Sequence, residues 1–194
     1  MILRELDDGI VIRRITDDAD TWRAGFTGVY QTVFSGYPYY ERYYPSEAEG
    51  VWRTLVRVPG NITVLATRGI SQVIGFGIAI PLAAKPDVAS ELTGLVPPDR
   101  TMYLAELGLL EDYRGQGIGR ALVEERLNAM DPHTTEHVVL RVSTLEAPSS
   151  QLYLELGFED MGVTMEVSSM RTDGRVKTDR RTFLSMVRSQ VGRN

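Results

Sequence analysis

Residues 113–120 read Tyr-Arg-Gly-Gln-Gly-Ile-Gly-Arg, a stretch in which three glycines alternate between a strand-like hydrophobic segment and an amphipathic helical one. Gly115, Gly117 and Gly119 have no Cβ, so the backbone can turn tightly and approach a ligand closely. The following helix would direct its unpaired N–H groups and the positive end of its dipole to the same place. This arrangement is typical of an anion site, although an ordinary strand-to-helix turn is the alternative.

The glycine spacing excludes two common nucleotide-binding motifs. It reads Gly-x-Gly-x-Gly rather than the Gly-x-Gly-x-x-Gly of dinucleotide-binding domains, and no Gly-Lys-Ser/Thr sequence follows to form a P-loop. The stretch therefore predicts pyrophosphate binding by a different fold.

The composition is that of a folded domain. The chain has 194 residues, of which 43% are hydrophobic and 24% charged, and its net charge is −5. We expect one domain over residues 1–194 with a short N-terminal extension. The acidic balance argues against nucleic acid as a partner and slightly favours a cationic acceptor.

The rare residue types exclude several kinds of site. The chain has no cysteine, which excludes disulfides, thiolate metal sites and a cysteine nucleophile. His133 and His137 lie in or beside a polar segment, and no Gly-x-Ser-x-Gly elbow accompanies them, so a serine hydrolase is not expected. No apolar run could span a bilayer and no secretory signal begins the chain. We expect no metal, no membrane partner and a cytoplasmic location.

Hydrophobic periodicity predicts an α/β protein with a mixed sheet and the element order β-α-α-β-β-β-α-β-α-β-β. Strands are expected at residues 10–15, 62–67, 73–80, 102–110, 137–143, 162–170 and 177–187. Helices are expected at residues 21–34, 47–56, 117–130 and 148–156. In the third helix we expect Glu124, Glu125 and Arg126 to face solvent.

Two connecting segments are candidates for substrate recognition. Residues 37–44 hold five tyrosines, which could line an acceptor pocket but which we interpret chiefly as half-buried packing for a long loop. Residues 81–100 form an insertion that could shape the entrance to the acceptor site.

Glu106 is unusual for its position in a central strand. By simple alternation it shares a face with Leu104 and Leu110, where an apolar residue would be expected. A buried carboxylate must be paired or useful. Glu106 could act as a base, anchor an ammonium group of the acceptor, or form a salt bridge with Arg141.

Two motifs together resemble the GNAT superfamily of acyl-CoA-dependent N-acyltransferases. Residues 114–119, Arg-Gly-Gln-Gly-Ile-Gly, match the signature Arg/Gln-x-x-Gly-x-Gly/Ala. Residues 152–158, Leu-Tyr-Leu-Glu-Leu-Gly-Phe, look like the family's late helix that ends in Tyr-x-x-x-Gly-Phe. The resemblance covers almost the whole chain and implies a GNAT-like fold, in which a mixed, mostly antiparallel central sheet is flanked by helices.

The resemblance also implies the site. Loop amides would hold the pyrophosphate of acetyl-CoA, and the strand before the loop would pair with its pantetheine arm beyond a bulge, where Gly108 would permit close approach. The implied cofactor-binding residues are Leu107, Gly108, Leu109, Arg114, Gly115, Gln116, Gly117, Ile118, Gly119 and Arg120. Tyr153 occupies the family's general-acid position, although spacing alone would equally suit a core tyrosine beside Leu152 and Leu156.

Two departures from the family pattern bear on the substrate. Glu146 stands where many members have asparagine, which puts the cofactor contacts of that loop in doubt. Residues 141–143 read Arg-Val-Ser, where members that acetylate protein N-termini commonly have Glu-Val-Arg. We therefore expect an N-acetyltransferase that acts directly on a small-molecule amine. A protein lysine or N-terminus as acceptor, a non-catalytic CoA-binding sensor, and a homodimer are left open.

Overall fold

The computed structural model describes residues 1–37, 39–143 and 148–188. Its strands are β1 (Ile2–Glu5), β2 (Ile10–Ile15), β3 (Ile62–Arg68), β4 (Gln72–Pro81), β5 (Thr101–Leu109), β6 (His137–Ser143), β7 (Glu159–Met170) and β8 (Val176–Val187). Its helices are α1 (Ala19–Ser35), α2 (Pro45–Val56), α3 (Pro86–Glu91), α4 (Ile118–Asn128) and α5 (Pro148–Glu155). The described strands form one open sheet in the order β1-β2-β3-β4-β5-β6-β8-β7. The predicted fold class, a mixed and mostly antiparallel sheet flanked by helices, is confirmed.

The N-terminal extension and the insertion contain structure that periodicity did not predict. β1 pairs antiparallel with β2, and Arg4 at its end forms ion pairs with Glu124 (2.8 Å) and Glu125 (2.7 Å) on α4. In the insertion, Pro86 begins α3, a position where its missing N–H carries no penalty. A four-residue strand and a six-residue helix are too short to show a period, so tertiary contacts decide both.

The two faces of the sheet bury different helices. On one face α1, α2 and α3 share a core rich in aromatic rings, in which Phe26 packs against Trp52 and Phe76 with ring centroids 4.7 and 4.8 Å apart. On the other face α4 and α5 pack over separate aliphatic clusters. The two faces of the sheet therefore differ: aromatic side chains cover one face, and helices α4 and α5 cover the other.

The sheet opens at its centre. β5 and β6 run parallel and pair through Thr101–Tyr103 and His137–Val139. Beyond these residues β5 continues with β4 as far as Leu109, while β6 continues with β8 as far as Ser143. The two strands therefore diverge and leave a wedge-shaped gap between them, and this gap is where the candidate site lies.

Candidate functional site

The glycine loop presents a row of unused backbone donors. Gly115 and Gly117 have left-handed φ angles of 75° and 78°, and Gly117 caps α4. Within the described part of the chain, no N–H group from Gly115 to Arg120 donates to a backbone carbonyl or to a side chain, and the first helical bond starts at Ala121. Six free amides at a helix N-terminus form a concave donor surface suited to a phosphate or pyrophosphate.

The loop forms one wall of an open groove of about 340 Å³, here called the donor groove. Its lining includes most of the predicted cofactor residues, namely Leu107, Gly108, Leu109, Arg114, Gly115, Gly117, Gly119 and Arg120. Two predicted residues contribute differently. The Ile118 side chain is buried in the core, so only its amide can serve a ligand, and the Gln116 side-chain amide donates to the carbonyl of Asp112.

The two loop arginines already have partners. Arg120 forms an ion pair with Glu155 of α5 at 2.6 Å, which ties the N-terminus of α4 to the helix across the groove. Arg114 donates from Nε to the carbonyl of Leu109 at 3.3 Å. Both guanidinium groups lie on the groove wall, where their remaining donors can face an anion.

The free edge of β5 runs along the donor groove. Leu110 donates its amide to the carbonyl of Ile74 on β4. Because an antiparallel strand directs successive backbone groups to opposite sides, Leu107 and Leu109 direct theirs away from β4 and towards the gap left by β6. This edge can therefore accept an extended, amide-bearing chain as an added strand.

Gly108 is glycine for an internal reason. A Cβ at this position would overlap with Cζ of the Phe76 ring, which lies in the core beneath α1. A protein side chain thus makes one close approach to Gly108, while the predicted approach of a ligand along the donor groove stays a prediction. Any larger residue at position 108 would displace that ring.

A β-bulge at Ala105 corrects the predicted orientation of Glu106. Ile78 lies opposite Glu106, whereas the next residue, Ala79, lies opposite Leu104, so Ala105 is an extra residue in β5. Ile78 packs in the α1 core, while Leu104 packs under α4 and α5. The expectation that Glu106 shares a face with Leu104 is therefore wrong, because the extra residue reverses the alternation.

Arg126 supports this bulge from below. Its side chain is fully buried, and Nη1 donates to the carbonyls of Glu106 (3.1 Å) and Ile78 (3.4 Å). A Cβ on Gly77 would lie 2.7 Å from its Nε, so that glycine makes room for the guanidinium. The expectation that Arg126 faces solvent is wrong, because its donors satisfy carbonyls that the irregular ladder leaves free.

Glu125 is also buried rather than solvent-facing, because it receives the ion pair from Arg4. The sequence does contain a signal for the buried position of Arg126. Two glycines that alternate on a buried strand indicate that a large side chain packs against that face of the sheet. Gly75 and Gly77 show this pattern in β4, where added methyl groups would meet Leu122 and Arg126 of α4.

The Glu106 carboxylate lies where β5 and β6 diverge, in a cleft of about 70 Å³ between the strands. Burial raises its pKa to about 7, against the opposing charges of Arg141 and Arg181. Among the described residues it forms no hydrogen bond, and the salt bridge considered with Arg141 does not form. Glu106 is thus an unpaired carboxyl poised to take up or release a proton near neutral pH.

Tyr153 reaches the same cleft from α5. Its ring is 4% exposed and meets Phe158 edge-on, with centroids 5.4 Å apart. Leu152 and Leu156 pack beside the same aliphatic cluster. Tyr153 therefore belongs to the core and also lines the cleft with Glu106 and Leu107, so its packing does not exclude a role in proton transfer.

The five tyrosines of residues 37–44 separate into two groups. Tyr37, Tyr40 and Tyr44 are more than half exposed. Tyr43 turns inward and donates from its hydroxyl to Glu41 at 3.0 Å, and Tyr39 packs against Phe34 and lines both the donor groove and the cleft. The prediction that the segment serves chiefly as packing therefore holds for Tyr39 and Tyr43 only. The rings of these two residues also line cavities.

A second cavity, of about 130 Å³, adjoins the cleft on the α1 side and is here called the inner cavity. Its polar lining comes from residues far apart in sequence, namely Tyr30, Glu41, Tyr43, Tyr103, Glu106, Arg141, Ser168, Ser169 and Arg181. Glu41 accepts hydrogen bonds from Tyr43 and from Arg181, the latter at 3.0 Å. The sequence did not reveal this cluster, because Glu41 and Arg181 are brought together only by the fold.

The insertion borders this region through packing and charge. Leu82, Val88, Leu92 and Val96 pack in the same cluster as Tyr103. The charge of Lys85 lowers the pKa of Glu106, against the larger effect of burial. None of residues 81–100 lines the inner cavity itself, so a role of the insertion in shaping the entrance to the acceptor site stays a prediction.

Three remaining points of the sequence analysis concern Glu146, metal binding and membrane-spanning helices. Glu146 lies outside the described residues. Within the ranges that are described, no group of three or more histidine or acidic side chains is placed to hold a metal ion. No helix in those ranges is long and apolar enough to cross a membrane.

Comparison with known proteins gives consistent similarities. Residues 26–158 match the Acetyltransferase (GNAT) family. The chain is 33% identical over 92 residues to N-acetyltransferase 8F1 of Rattus norvegicus, a match that covers 47% of this chain. It is 36% identical over 62 residues to an N-alpha-acetyltransferase of Sulfurisphaera tokodaii, a match that covers 31% of this chain. Each match spans 37% of the relative's own length.

The fold is also found among solved structures. The ribosomal-protein-S18-alanine N-acetyltransferase of Escherichia coli superposes with a TM-score of 0.65, covering 95% of this chain and 97% of the other. The two are 18% identical, so the likeness is one of fold.

Proposed function

Because the chain belongs to the acetyltransferase (GNAT) family, we propose that it transfers an acetyl group from acetyl-CoA directly to a primary amine, within a complex that holds both substrates. The observation that carries this proposal is the gap between β5 and β6. It joins the donor groove, with its free loop amides, to the cleft that holds Glu106 and Tyr153. A donor and an acceptor can thus reach the same point from opposite sides of the sheet.

The donor groove offers binding partners for successive parts of the acetyl-CoA molecule. The amides of residues 115–120 would bind its pyrophosphate, with Arg114 and Arg120 on the wall. The free backbone groups of Leu107 and the N–H of Leu109 would pair with the amides of the pantetheine arm, which brings the thioester to the cleft.

The cleft holds one group that can accept a proton and one that can donate a proton during an acyl transfer. Glu106 would take a proton from the ammonium of the acceptor, directly or through water, so that the amine nitrogen can attack the thioester carbonyl. A free amide on the β5 edge would stabilise the oxyanion. When the C–S bond breaks, Tyr153 would give its proton to the departing thiolate, and the second proton of the attacking nitrogen would restore the phenol. Glu106 would then release the first proton to solvent.

A small acceptor is favoured by the enclosure of the inner cavity. α1, the tyrosine segment and strands β5 to β8 surround it, and its volume of about 130 Å³ suits a few heavy atoms rather than a folded polypeptide. Acetylation of a protein N-terminus is the second candidate, favoured by the named activity of the Sulfurisphaera tokodaii relative. A cytoplasmic location stays a prediction.

Release of free thiol from acetyl-CoA, measured over a panel of small amines and short peptides, tests this proposal. We expect turnover of a small amine by the wild type and much slower turnover by Tyr153→Phe. Turnover confined to peptides would favour the second candidate. Binding of CoA without turnover of any acceptor would instead indicate a CoA-binding sensor.

A further inference from the structure

The charges around the inner cavity are balanced except at two groups. Glu41 is 3% exposed and pairs with Arg181 at 3.0 Å and with Arg171 at 3.8 Å. Arg171 also pairs with Asp179. These two acids and two arginines neutralise one another as a network, which the exposed Lys177 joins through an ion pair with Asp179 at 3.5 Å.

Arg141 stands outside this network. It lies on β6, opposite Phe183 of β8, and lines both the cleft and the inner cavity. Its Nη1 donates a hydrogen bond to the thioether sulfur of Met165 at 3.0 Å, and sulfur is a weak acceptor. No carboxylate among the described residues lies within ion-pair distance of it. A guanidinium has five N–H donors, so most of its capacity is unused.

Glu106 is the other unpaired group, and it lines the same two cavities as Arg141. The two side chains belong to the strands that diverge, Glu106 to β5 and Arg141 to β6. A carboxyl and a guanidinium, neither of them ion-paired among the described residues, therefore line the same two cavities, of about 70 and 130 Å³.

We infer that the acceptor is an amino carboxylate, whose amine is received at Glu106 and whose carboxylate is bound by Arg141. This inference rests on the proposed acetyl transfer and names its substrate class. Arginine binds carboxylates through two parallel N–H donors, which fixes orientation as well as charge. An amine without an anionic group would leave the Arg141 charge desolvated and unpaired when the cleft is filled. A second cationic group on the acceptor would meet repulsion from Arg141.

Matched pairs of acceptors test the inference. The wild type is assayed with glycine and glycinamide, with methionine and methioninamide, and with 4-aminobutyrate and its amide. Hydrogen bonds to charged groups are worth about 1.5–3 kcal/mol, so we expect kcat/KM to favour at least one free acid about 10- to 100-fold over its amide. Arg141→Met removes the charge at similar length and should abolish this preference, while Arg141→Lys should keep part of it. Arg175→Met, in the exposed hairpin turn, removes the same charge elsewhere and should leave the preference intact.

The outcomes separate this inference from the proposed function. Equal turnover of acids and amides by the wild type, or a preference that survives Arg141→Met, would overturn the inference while acetyl transfer stands. If no amine is turned over, the proposed function fails, and calorimetry in the presence of CoA then decides. Binding of a free acid that Arg141→Met removes and Arg175→Met keeps would support the site, and absence of such binding would refute it.

Discussion

Nη1 of Arg126 donates to the backbone carbonyl of Glu106 across 3.1 Å, so a side chain of α4 holds the strand residue that carries the proposed base. The same nitrogen reaches the carbonyl of Ile78, the partner of Glu106 on β4. One buried guanidinium thus spans both strands at the bulge, although its Nη2 has no partner among the described residues.

We predict that Arg126→Met loosens the bulge. Each buried carbonyl left unpaired costs about 1–3 kcal/mol, so the loss of both bonds should lower the free energy of unfolding by about 2–6 kcal/mol, and kcat should fall as well. Arg126→Lys retains one charged donor and should recover part of both. Urea denaturation and steady-state kinetics measure these effects, with Arg175→Met as the control. A methionine variant as stable and active as the wild type would show that the hydrogen bonds do not hold the site.

Glu106 should govern the pH dependence of catalysis. Its pKa of about 7 means that the base form appears as the pH rises through neutrality, so kcat/KM of the wild type should rise over that range. Glu106→Gln should lower the rate about 10²- to 10⁴-fold and flatten the rise. A Gln variant with an unchanged pH profile would assign the titration to another group.

The raised pKa of Glu106 should also make the stability of the fold depend on pH. The fold raises the pKa of Glu106 from 4.5 to about 7 and therefore favours the protonated form. The stabilisation of the folded state by the protonated Glu106 carboxyl is fully present below pH 4.5 and is lost as the pH rises through about 7. Glu106→Gln cannot ionise, so its stability relative to the wild type should increase between about pH 5 and pH 8. Urea denaturation at both values measures the change, and a constant difference would contradict it.

Tyr153→Phe should slow the chemical step and spare the fold. The phenylalanine keeps the edge-on contact with Phe158, while the proton for the thiolate is lost, so kcat should fall about 10²-fold. The KM for acetyl-CoA should change little. Tyr37→Phe removes an exposed hydroxyl and serves as the matched control. Equal kcat values for the two variants would remove Tyr153 from the mechanism.

Gly117→Ala tests the loop amides against backbone strain. Gly117 and Gly174 have φ angles of 78° and 84°, and a Cβ on either would meet no atom within 4 Å. Both alanine variants should therefore lose about 1–2 kcal/mol of stability through the left-handed conformation alone. Only Gly117→Ala should also weaken acetyl-CoA binding, measured by calorimetry, because its methyl group would sit on the donor groove. Equal affinities would place the pyrophosphate elsewhere.

The sequence predicted those parts of the site that depend on local pattern. The glycine loop, the position of Tyr153 before Gly157, and strand β6 are all set within short segments, and the structure has them where periodicity and turn residues indicate. Ala105 was not predictable, because periodicity assumes an unbroken ladder and one extra residue reverses every side chain beyond it.

Contacts between segments that are far apart in the chain could not be predicted from the hydrophobic pattern either. Arg126 looks like an exposed helical residue until Gly77 and the bulge create space for it. Glu41 and Arg181 are 140 positions apart and meet only when β8 packs beside the tyrosine segment. The features that lie within one short segment were therefore predictable from the sequence, and those that distant segments assemble were not.

Initial velocities measured while acetyl-CoA and an accepted amine are varied together test direct transfer most plainly. If both substrates must occupy the gap between β5 and β6 before reaction, the double-reciprocal lines should intersect. Parallel lines, accompanied by an acetylated form of the protein, would contradict transfer through a ternary complex.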